Sequence, residues 1–159
     1  MVSIHLRRTI EDDITLKSIP VSGSDLAKAL IREDGYRIPL IMLAACQSAT
    51  GSFEKGFDSI TSDLLMHGFP NIIAMSMSIM DDHVTQFSKY LYNQLNKGNS
   101  ILSSFYEAIR YLKNFEVNYI NKKFSSTNLN EIIPFQHTIP CIYSRTKDFR
   151  LFDPDLISA

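Results

Sequence analysis

The sequence predicts one α/β domain in which helices flank a mostly parallel sheet. Two largely apolar runs, Ile38–Ala45 and Asn71–Ile79, support this prediction, because strands buried on both faces of a parallel sheet have this character. Segments with apolar residues at helical spacing lie between and after these runs, and such alternation is typical of layered α/β domains. A chain of 159 residues suits a single domain over residues 1–159 and can bury a substantial core.

The first elements precede the apolar run that starts at Ile38. Val2–Leu6 is predicted to be a short strand, and a brief extended piece is predicted to run up to Val21. A helix is predicted to begin after it, because side-chain oxygens such as that of Ser22 can accept the unpaired N–H groups of a first turn. Gly35 stands where this helix would end.

Three further helices and a last strand are predicted from the remaining pattern. Residues 115–131 are rich in Asn and Lys and lack a strong period, so we predict a long surface connection there. The last strand, Ile139–Tyr143, is placed at an edge of the sheet because Pro140 cannot donate a backbone hydrogen bond. The apolar positions of the three helices lie within residues 60–65, 84–95 and 101–112.

The composition argues against several classes of function. The apolar share of 45% and the charged share of 21% are those of an ordinary globular protein. The 16 Lys and Arg are balanced by 17 Asp and Glu, so we expect no nucleic-acid partner. The longest apolar run, Ile38–Cys46, is too short to span a bilayer, and the first residues lack the apolar region of a secretory signal. Two cysteines in unlike contexts favour a reducing cytoplasm.

Cys46 directly follows the most apolar of the predicted strands. In open parallel sheets catalytic groups collect just beyond the carboxyl ends of the strands, and Cys46 falls at such a place. The mostly small residues Gln47–Gly51 allow a sharp turn that presents the thiol to solvent, as a reactive thiolate requires. Position alone also fits a small apolar residue that ends a core strand, since unpaired Cys is among the residues most often buried.

Several motifs along the chain resemble those of one family. Leu43–Gly51 (LAACQSATG) closely resembles the nucleophile motif of CHAT-domain peptidases, which are relatives of caspases and separases. Residues 56–60 (GFDSI) and 67–76 (HGFPNIIAMS) resemble the helix and strand that follow in that family. Residues 79–82 (IMDD) and 139–143 (IPCIY) are similar to its next turn and its closing strand, each without the family's Trp.

The resemblance implies a caspase-like layered fold and a cysteine endopeptidase. It extends from about Ile10 to about Phe152, and it makes Cys46 both the nucleophile and a backbone donor to the oxyanion. Peptide bonds of a peptide or protein substrate would be hydrolysed through an acyl-thioester at Cys46. Domains of this family are commonly controlled by attached repeats or by a regulatory protein, so such a partner is expected here.

The family's catalytic His belongs to a His-Gly pair on the strand before a segment that Ile10–Asp12 resembles. The nine residues before this segment contain no His-Gly pair, and His5, which Leu6 follows, is the nearby candidate for the base. The chain is therefore interpreted as the Cys-bearing part of the domain, with N-terminal strands missing. Three explanations stay open, of which we favour the first: an upstream coding region, a separate chain that supplies this half, or a non-catalytic descendant kept for binding.

Four polar residues near the second strand are candidates for substrate binding. Asp81 and Asp82 follow the strand next to the one that ends at Cys46, and the resemblance to caspase-like folds implies that this loop helps line the pocket for the residue before the scissile bond. A carboxylate there would favour Lys or Arg. The simpler interpretation, which we favour, is that both aspartates cap a helix and complement its positive end. Ser76 and Ser78 alternate on the same strand and could also reach the pocket.

The other histidines are expected to have lesser roles. His67 stands at a helix end, on the side of the sheet opposite Cys46, so we favour a capping role. His83 could line the pocket but is expected to be solvated, whereas His137 is expected to be structural and Cys141 to lie in the core. No pair of His, Cys or carboxylate residues has metal-ligand spacing, and no glycine loop resembles a phosphate site, so we expect no metal and no cofactor.

The leading hypothesis is a truncated CHAT-like cysteine endopeptidase with Cys46 as its nucleophile. The alternative is a non-catalytic caspase-like interaction module that keeps the fold. In either case the missing strands would leave a sheet edge unpaired, which favours self-association.

Overall fold

The computed structural model describes the chain in five stretches. These are residues 2–6, 17–44, 60–124, 135–146 and 149–152, and for residues 2–6, 17–20 and 122–124 the description covers the backbone alone. In chain order the elements are β1 (Val2–Leu6), β2 (Lys17–Val21), α1 (Gly23–Leu30), β3 (Ile41–Leu43), α2 (Ile60–Met66), β4 (Asn71–Met75), α3 (Asp81–Asn96), α4 (Ile101–Phe124) and β5 (Pro140–Ser144). This order confirms the predicted α/β class.

β4 is the middle strand of a three-stranded mixed sheet. β3 pairs with it in parallel, with Leu43 opposite Ala74, and β5 pairs with it antiparallel, with Pro140 opposite Met75. β1 and β2 form a separate antiparallel pair. The predicted parallel character therefore holds for β3 and β4, while the other two described pairs are antiparallel. β5 runs antiparallel to β4 because two successive helices connect them. α3 leads the chain away from the end of β4, and α4 brings it back to the same end of the sheet.

The two faces of β4 pack against two different layers of helices. Ile73 and Met75 belong to a core with α3 and α4, whereas Ile72 belongs to a second core with α1 and α2. All five residues of β4 are buried, as the apolar run predicted. The larger core receives its helical side chains from Phe87, Leu91, Leu95, Ile101, Phe105, Ala108 and Leu112. The described sheet is thus sandwiched between two helical layers.

Most helix ends follow from local signals in the sequence. Ser22 caps α1, since its Oγ accepts the N–H of Asp25 at 3.1 Å. Gly68 and Gly98 end α2 and α3 with positive φ angles of 87° and 79°, a conformation that L side chains avoid. α1 ends at Leu30, earlier than the Gly35 that was expected to stop it. These short-range signals place the helices to within a few residues.

α4 is longer than the sequence predicted. It continues to Phe124, so the expected surface connection over residues 115–131 is wrong for its first ten residues, and residues 125–131 lie outside the described part. The helix continues because Phe115 packs against the larger core and Glu116 is buried beside it. Even so, none of the helices in the described stretches combines the length and the apolar character needed to cross a membrane.

β3 is shorter and less buried than the apolar run suggested. It spans three residues, of which Ile41 is buried and Met42 and Leu43 are partly exposed. The preceding Ile38 is exposed. The carbonyl of Pro39 accepts a hydrogen bond from the side-chain amide of Asn71 at 2.9 Å and does not extend the pairing of β3 with β4. The apolar run thus includes an approach to the strand as well as the strand.

Gly23 lies where α1 passes close to α2, and this contact can be tested. A Cβ at Gly23 would overlap the Asp63 carboxylate and lie 2.9 Å from the Asp63 Cβ. We expect Gly23→Ala to lower the free energy of unfolding in urea by about 1–3 kcal/mol, because overpacking forces α2 to shift. Lys28→Ala, on the exposed face of α1, should change it by less than about 0.5 kcal/mol. If Gly23→Ala lowers the free energy of unfolding by as much in an Asp63→Ala background, the contact with Asp63 is not the cause.

Candidate functional site

β3 and β4 end at the same edge of the sheet because they are parallel. Ala44 follows β3 there and Ser76 follows β4, and we call this edge, formed by Ala44 and residues 76–82, the carboxyl rim. Cys46 comes two residues after Ala44 in the chain and lies outside the described residues, so its role as nucleophile stays a prediction. His5 lies in β1, and its side chain is also outside the description.

Ser76 ties the end of β4 to the start of β5. Its backbone N–H and its hydroxyl both donate to the carbonyl of Ile139, at 3.0 and 2.9 Å. The hydroxyl proton of this half-buried side chain is therefore already used within the fold. Ser78, the other serine of the carboxyl rim, is exposed. Of the two serines, Ser78 has the side chain that faces solvent.

Asp81 and Asp82 form the first turn of α3 on the carboxyl rim, and both are exposed. The residue that caps the helix is Met80, and no side chain makes a capping hydrogen bond from that position. The two carboxylates therefore act on the helix through charge, since negative groups near a helix N-terminus are favourable. Their exposure leaves them open to a cationic partner from solution.

A buried polar cluster lies behind the carboxyl rim. Glu116 of α4, 4% exposed, accepts the backbone N–H groups of Gln136 and His137 at 3.2 and 3.4 Å. The Nδ1 atom of His137 lies 2.5 Å from the same carboxylate. The buried side chain of Gln136 in turn accepts the N–H of Met80 through Oε1 at 2.8 Å. The cluster joins α4, a 3₁₀ turn at Gln136–Thr138 and the start of α3.

The charge of Glu116 is stabilised by this cluster. Burial by itself would raise the pKa of its carboxyl group, but the hydrogen bond from the His137 side chain and those from the two backbone N–H groups outweigh it. The pKa of Glu116 therefore lies below its ordinary value of 4.5. At neutral pH the cluster is built around a carboxylate, which can accept all three hydrogen bonds.

His83 is buried next to the cluster, with 1% of its surface exposed. Its ring packs edge-on against Phe115 and Tyr119, with centroids 5.2 and 5.1 Å away. Neither ring nitrogen has a hydrogen-bond partner among the described residues. Burial lowers the pKa of His83 below 6.5, and the nearby charges of Glu116 and Asp82 offset only part of this effect. His83 is thus held as a neutral ring.

The expectation that His83 is solvated is wrong. The residue lies four positions before Phe87 and eight before Leu91, so it belongs to the face of α3 that packs inward. Its burial against aromatic rings also removes it from the surface of the rim. In the stretches that the structure describes, no group of three His, Cys, Asp or Glu side chains could hold a metal ion.

His67 and His137 have the structural roles that were expected. His67 follows α2, and its Nδ1 lies 2.8 Å from the carbonyl of Asp63, one of the last carbonyls of that helix. It stands before β4, at the opposite end of the strand from the carboxyl rim. His137 belongs to the buried cluster. Cys141 of β5 is partly buried, with its thiol donating to Ile139 at 3.6 Å.

The family model of the CHAT domain matches residues 7–117, more than two thirds of the chain. The chain belongs to the CHAT-domain family. The matched residues include Cys46 and the carboxyl rim, as the motifs predicted, but not β5, whose similarity to the family's closing strand stays a prediction. No curated protein matches the chain.

In this CHAT domain, sequence reasoning missed the cluster around Glu116. One signal for it was present, because Leu112, Phe115 and Tyr119 repeat at helical spacing and carry α4 past its predicted end. Nothing in the sequence pairs Glu116 with Gln136, which lies twenty positions further along the chain. That pairing depends on where the chain returns to the carboxyl rim.

The buried ring of His83 predicts how stability depends on pH. Its pKa is lowered on folding, so its share of the stability is complete above the unfolded value of 6.5 and is lost as pH falls through the folded value. We expect the free energy of unfolding in urea to fall between pH 7 and pH 5, with His83 contributing at most about 1.4 kcal/mol per pH unit. The contribution of Glu116, whose folded pKa is below 4.5, is lost at still lower pH.

The substitution His83→Phe separates this effect from other titrating groups. Phenylalanine suits the aromatic surroundings and removes two unpaired nitrogens, so the variant should be at least as stable at pH 7 and should lose less stability by pH 5. Equal slopes in His83→Phe and the wild type would contradict the prediction.

Proposed function

We propose that this CHAT domain is a cysteine endopeptidase that hydrolyses peptide bonds through the thiolate of Cys46. The observation that carries the proposal is the family match, whose range includes Cys46. Chain geometry supports it, since Cys46 comes three residues after Leu43 and three residues of extended chain span at most about 11 Å. We infer that Cys46 acts at the carboxyl rim, where catalytic groups of parallel sheets collect.

The proposed reaction has two stages. The Cys46 thiolate attacks the scissile carbonyl, and the carbon–nitrogen bond breaks as the leaving amine takes a proton from the base. We infer that the backbone N–H of Cys46 donates to the oxyanion, as the resemblance of Leu43–Gly51 to the family motif implies. Water then hydrolyses the acyl-thioester and restores the thiol. In this scheme we assign the base to His5, the histidine nearest to the segment where the resemblance places the family's His-Gly pair, although Leu6 and not Gly follows it.

The carboxyl rim suggests the class of substrate. Asp81 and Asp82 are exposed there without a capping hydrogen bond, and their charges add to one another. A Lys or Arg side chain next to the scissile bond would gain charge-assisted hydrogen bonds from these carboxylates. Ser78 is also exposed and can donate or accept. The half-buried Ser76 contributes by holding the rim in place. We therefore propose substrates with a basic residue before the cleaved bond.

Electrophilic labelling tests the nucleophile directly. We expect a peptidyl acyloxymethyl ketone with lysine at its reactive end to label Cys46 at least about tenfold faster than it labels free cysteine at neutral pH, because an activated thiol has a lowered pKa. The second-order rate constant and the labelled peptide are measured by mass spectrometry.

Cys141 provides a matched control, because it is the other cysteine of the chain. Cys141→Ser should label at the rate of the wild type, and Cys46→Ser should not be labelled. If Cys46 reacts no faster than free cysteine, the endopeptidase proposal fails. That outcome would favour the second hypothesis, a non-catalytic interaction module.

The role of His5 is tested by the same reaction. General base catalysis contributes about 10²- to 10⁴-fold, so His5→Ala should lower the labelling rate constant of Cys46 by at least about 10²-fold. His67→Ala, at the other end of β4, should leave the rate constant unchanged. If His5→Ala labels as fast as the wild type, the base is a different group.

A further inference from the structure

One short segment makes hydrogen bonds to both ends of the loop that precedes Asp81 and Asp82. We call residues 76–80 the rim loop and residues 135–139 the brace. At one end of the rim loop, the N–H and hydroxyl of Ser76 donate to the carbonyl of Ile139 in the brace. At the other end, the N–H of Met80 donates to Oε1 of Gln136. Asp81 and Asp82 begin α3 immediately after this second attachment.

We propose that Gln136 and Glu116 are positioning residues for substrate selection at the carboxyl rim. Gln136 fixes the backbone of Met80 and hence the direction in which Asp81 and Asp82 leave the rim loop. Glu116 fixes the brace itself. The inference rests on the proposed function, because it concerns how a basic substrate residue is selected by the two aspartates.

The brace needs Glu116 because its backbone is not relaxed. Phe135 has a φ of 66°, in the left-handed region that a bulky side chain rarely adopts. This conformation turns the N–H groups of Gln136 and His137 toward one point, and successive N–H groups arranged in this way form an anion-binding nest. The carboxylate of Glu116 occupies the nest, with the His137 ring against it. A buried charge on α4 thus sets the shape of the brace.

Gln136 suits its task through one atom. Its side chain is fully buried, and its Oε1 is the acceptor for Met80, whereas its Nε2 has no partner among the described residues. A leucine has a similar volume but no acceptor, so it would leave the Met80 N–H buried and unpaired. A glutamate keeps an acceptor at the same distance from the backbone. This pair of substitutions therefore separates the hydrogen bond from the packing.

The hydrogen bond between Met80 and Gln136 is tested by amide hydrogen exchange, which NMR measures for each residue. In the variant Gln136→Leu we expect the Met80 amide to exchange about tenfold faster than in the wild type, while Ser76, which is held by Ile139, keeps its protection. Gln136→Glu should retain the protection of Met80. Gln86→Leu is the matched control. It removes a glutamine side chain of α3 that accepts the hydroxyl of Tyr111, and it should leave Met80 protected.

Substrate selection is read by labelling Cys46 with two probes that differ only in lysine or leucine next to the electrophile. The ratio of the lysyl to the leucyl rate constant should fall about fivefold or more in Gln136→Leu, with the leucyl rate constant within about twofold of the wild type. Gln136→Glu should restore the ratio, and Gln86→Leu should not change it. Glu116→Gln, which frees the brace without altering Gln136, should lower the ratio as well.

The outcomes separate the positioning role from the proposed function. A wild type that neither probe labels faster than free cysteine overturns the proposed function and, with it, the substrate role of the brace. A labelled wild type whose ratio is unchanged in both Gln136→Leu and Glu116→Gln overturns the positioning role alone. Equal loss of both rate constants would also overturn it, because a general loss of structure does not discriminate lysine from leucine.

Discussion

The burial of β4 on both faces is the constraint on which the rest of the described fold depends. A strand with helices on each side needs mostly apolar residues, and Asn71–Met75 has four apolar residues and one polar residue, all of them buried. That residue, Asn71, is buried at the strand's start, where its amide donates to Pro39 and its carbonyl oxygen accepts from Ser144. The single polar side chain of the strand thereby links β4 to the approach of β3 and to the end of β5.

The position of the carboxyl rim follows from this arrangement. β3 runs parallel to β4, so their last residues reach one edge, and the pair α3 and α4 returns the chain to that same edge before β5. Three separate segments therefore meet there, and their backbone ends need partners. Gln136 accepts the N–H of Met80, and Glu116 accepts backbone N–H groups of the brace. Burying the carboxylate is unfavourable alone, and the hydrogen bonds that it accepts offset this.

Local signals allowed much of the fold to be predicted. Ser22 marks the start of α1 through an interaction within a few residues, and the structure confirms it. Gly68 and Gly98 end α2 and α3 in the same local way. The end of α4 was missed because the residues after Leu112 are mostly polar, and one apolar stripe with a buried glutamate sustains the helix instead. His83 was misplaced because its polarity was given more weight than its spacing from Phe87 and Leu91, and the rings of Phe115 and Tyr119 that cover it come from another helix.

The sequence by itself determined the α/β class, the order of most elements, the family and the place of Cys46 in the chain just after β3. These depend on periodicity, on turn residues and on motifs that are contiguous in the chain. Only the tertiary structure decided that Ser76 binds Ile139 across 63 positions and that Met80 binds Gln136 across 56. Such pairs form because closing the sheet and the helices brings distant backbone groups out of water together, and each must then find whatever donor or acceptor has arrived beside it.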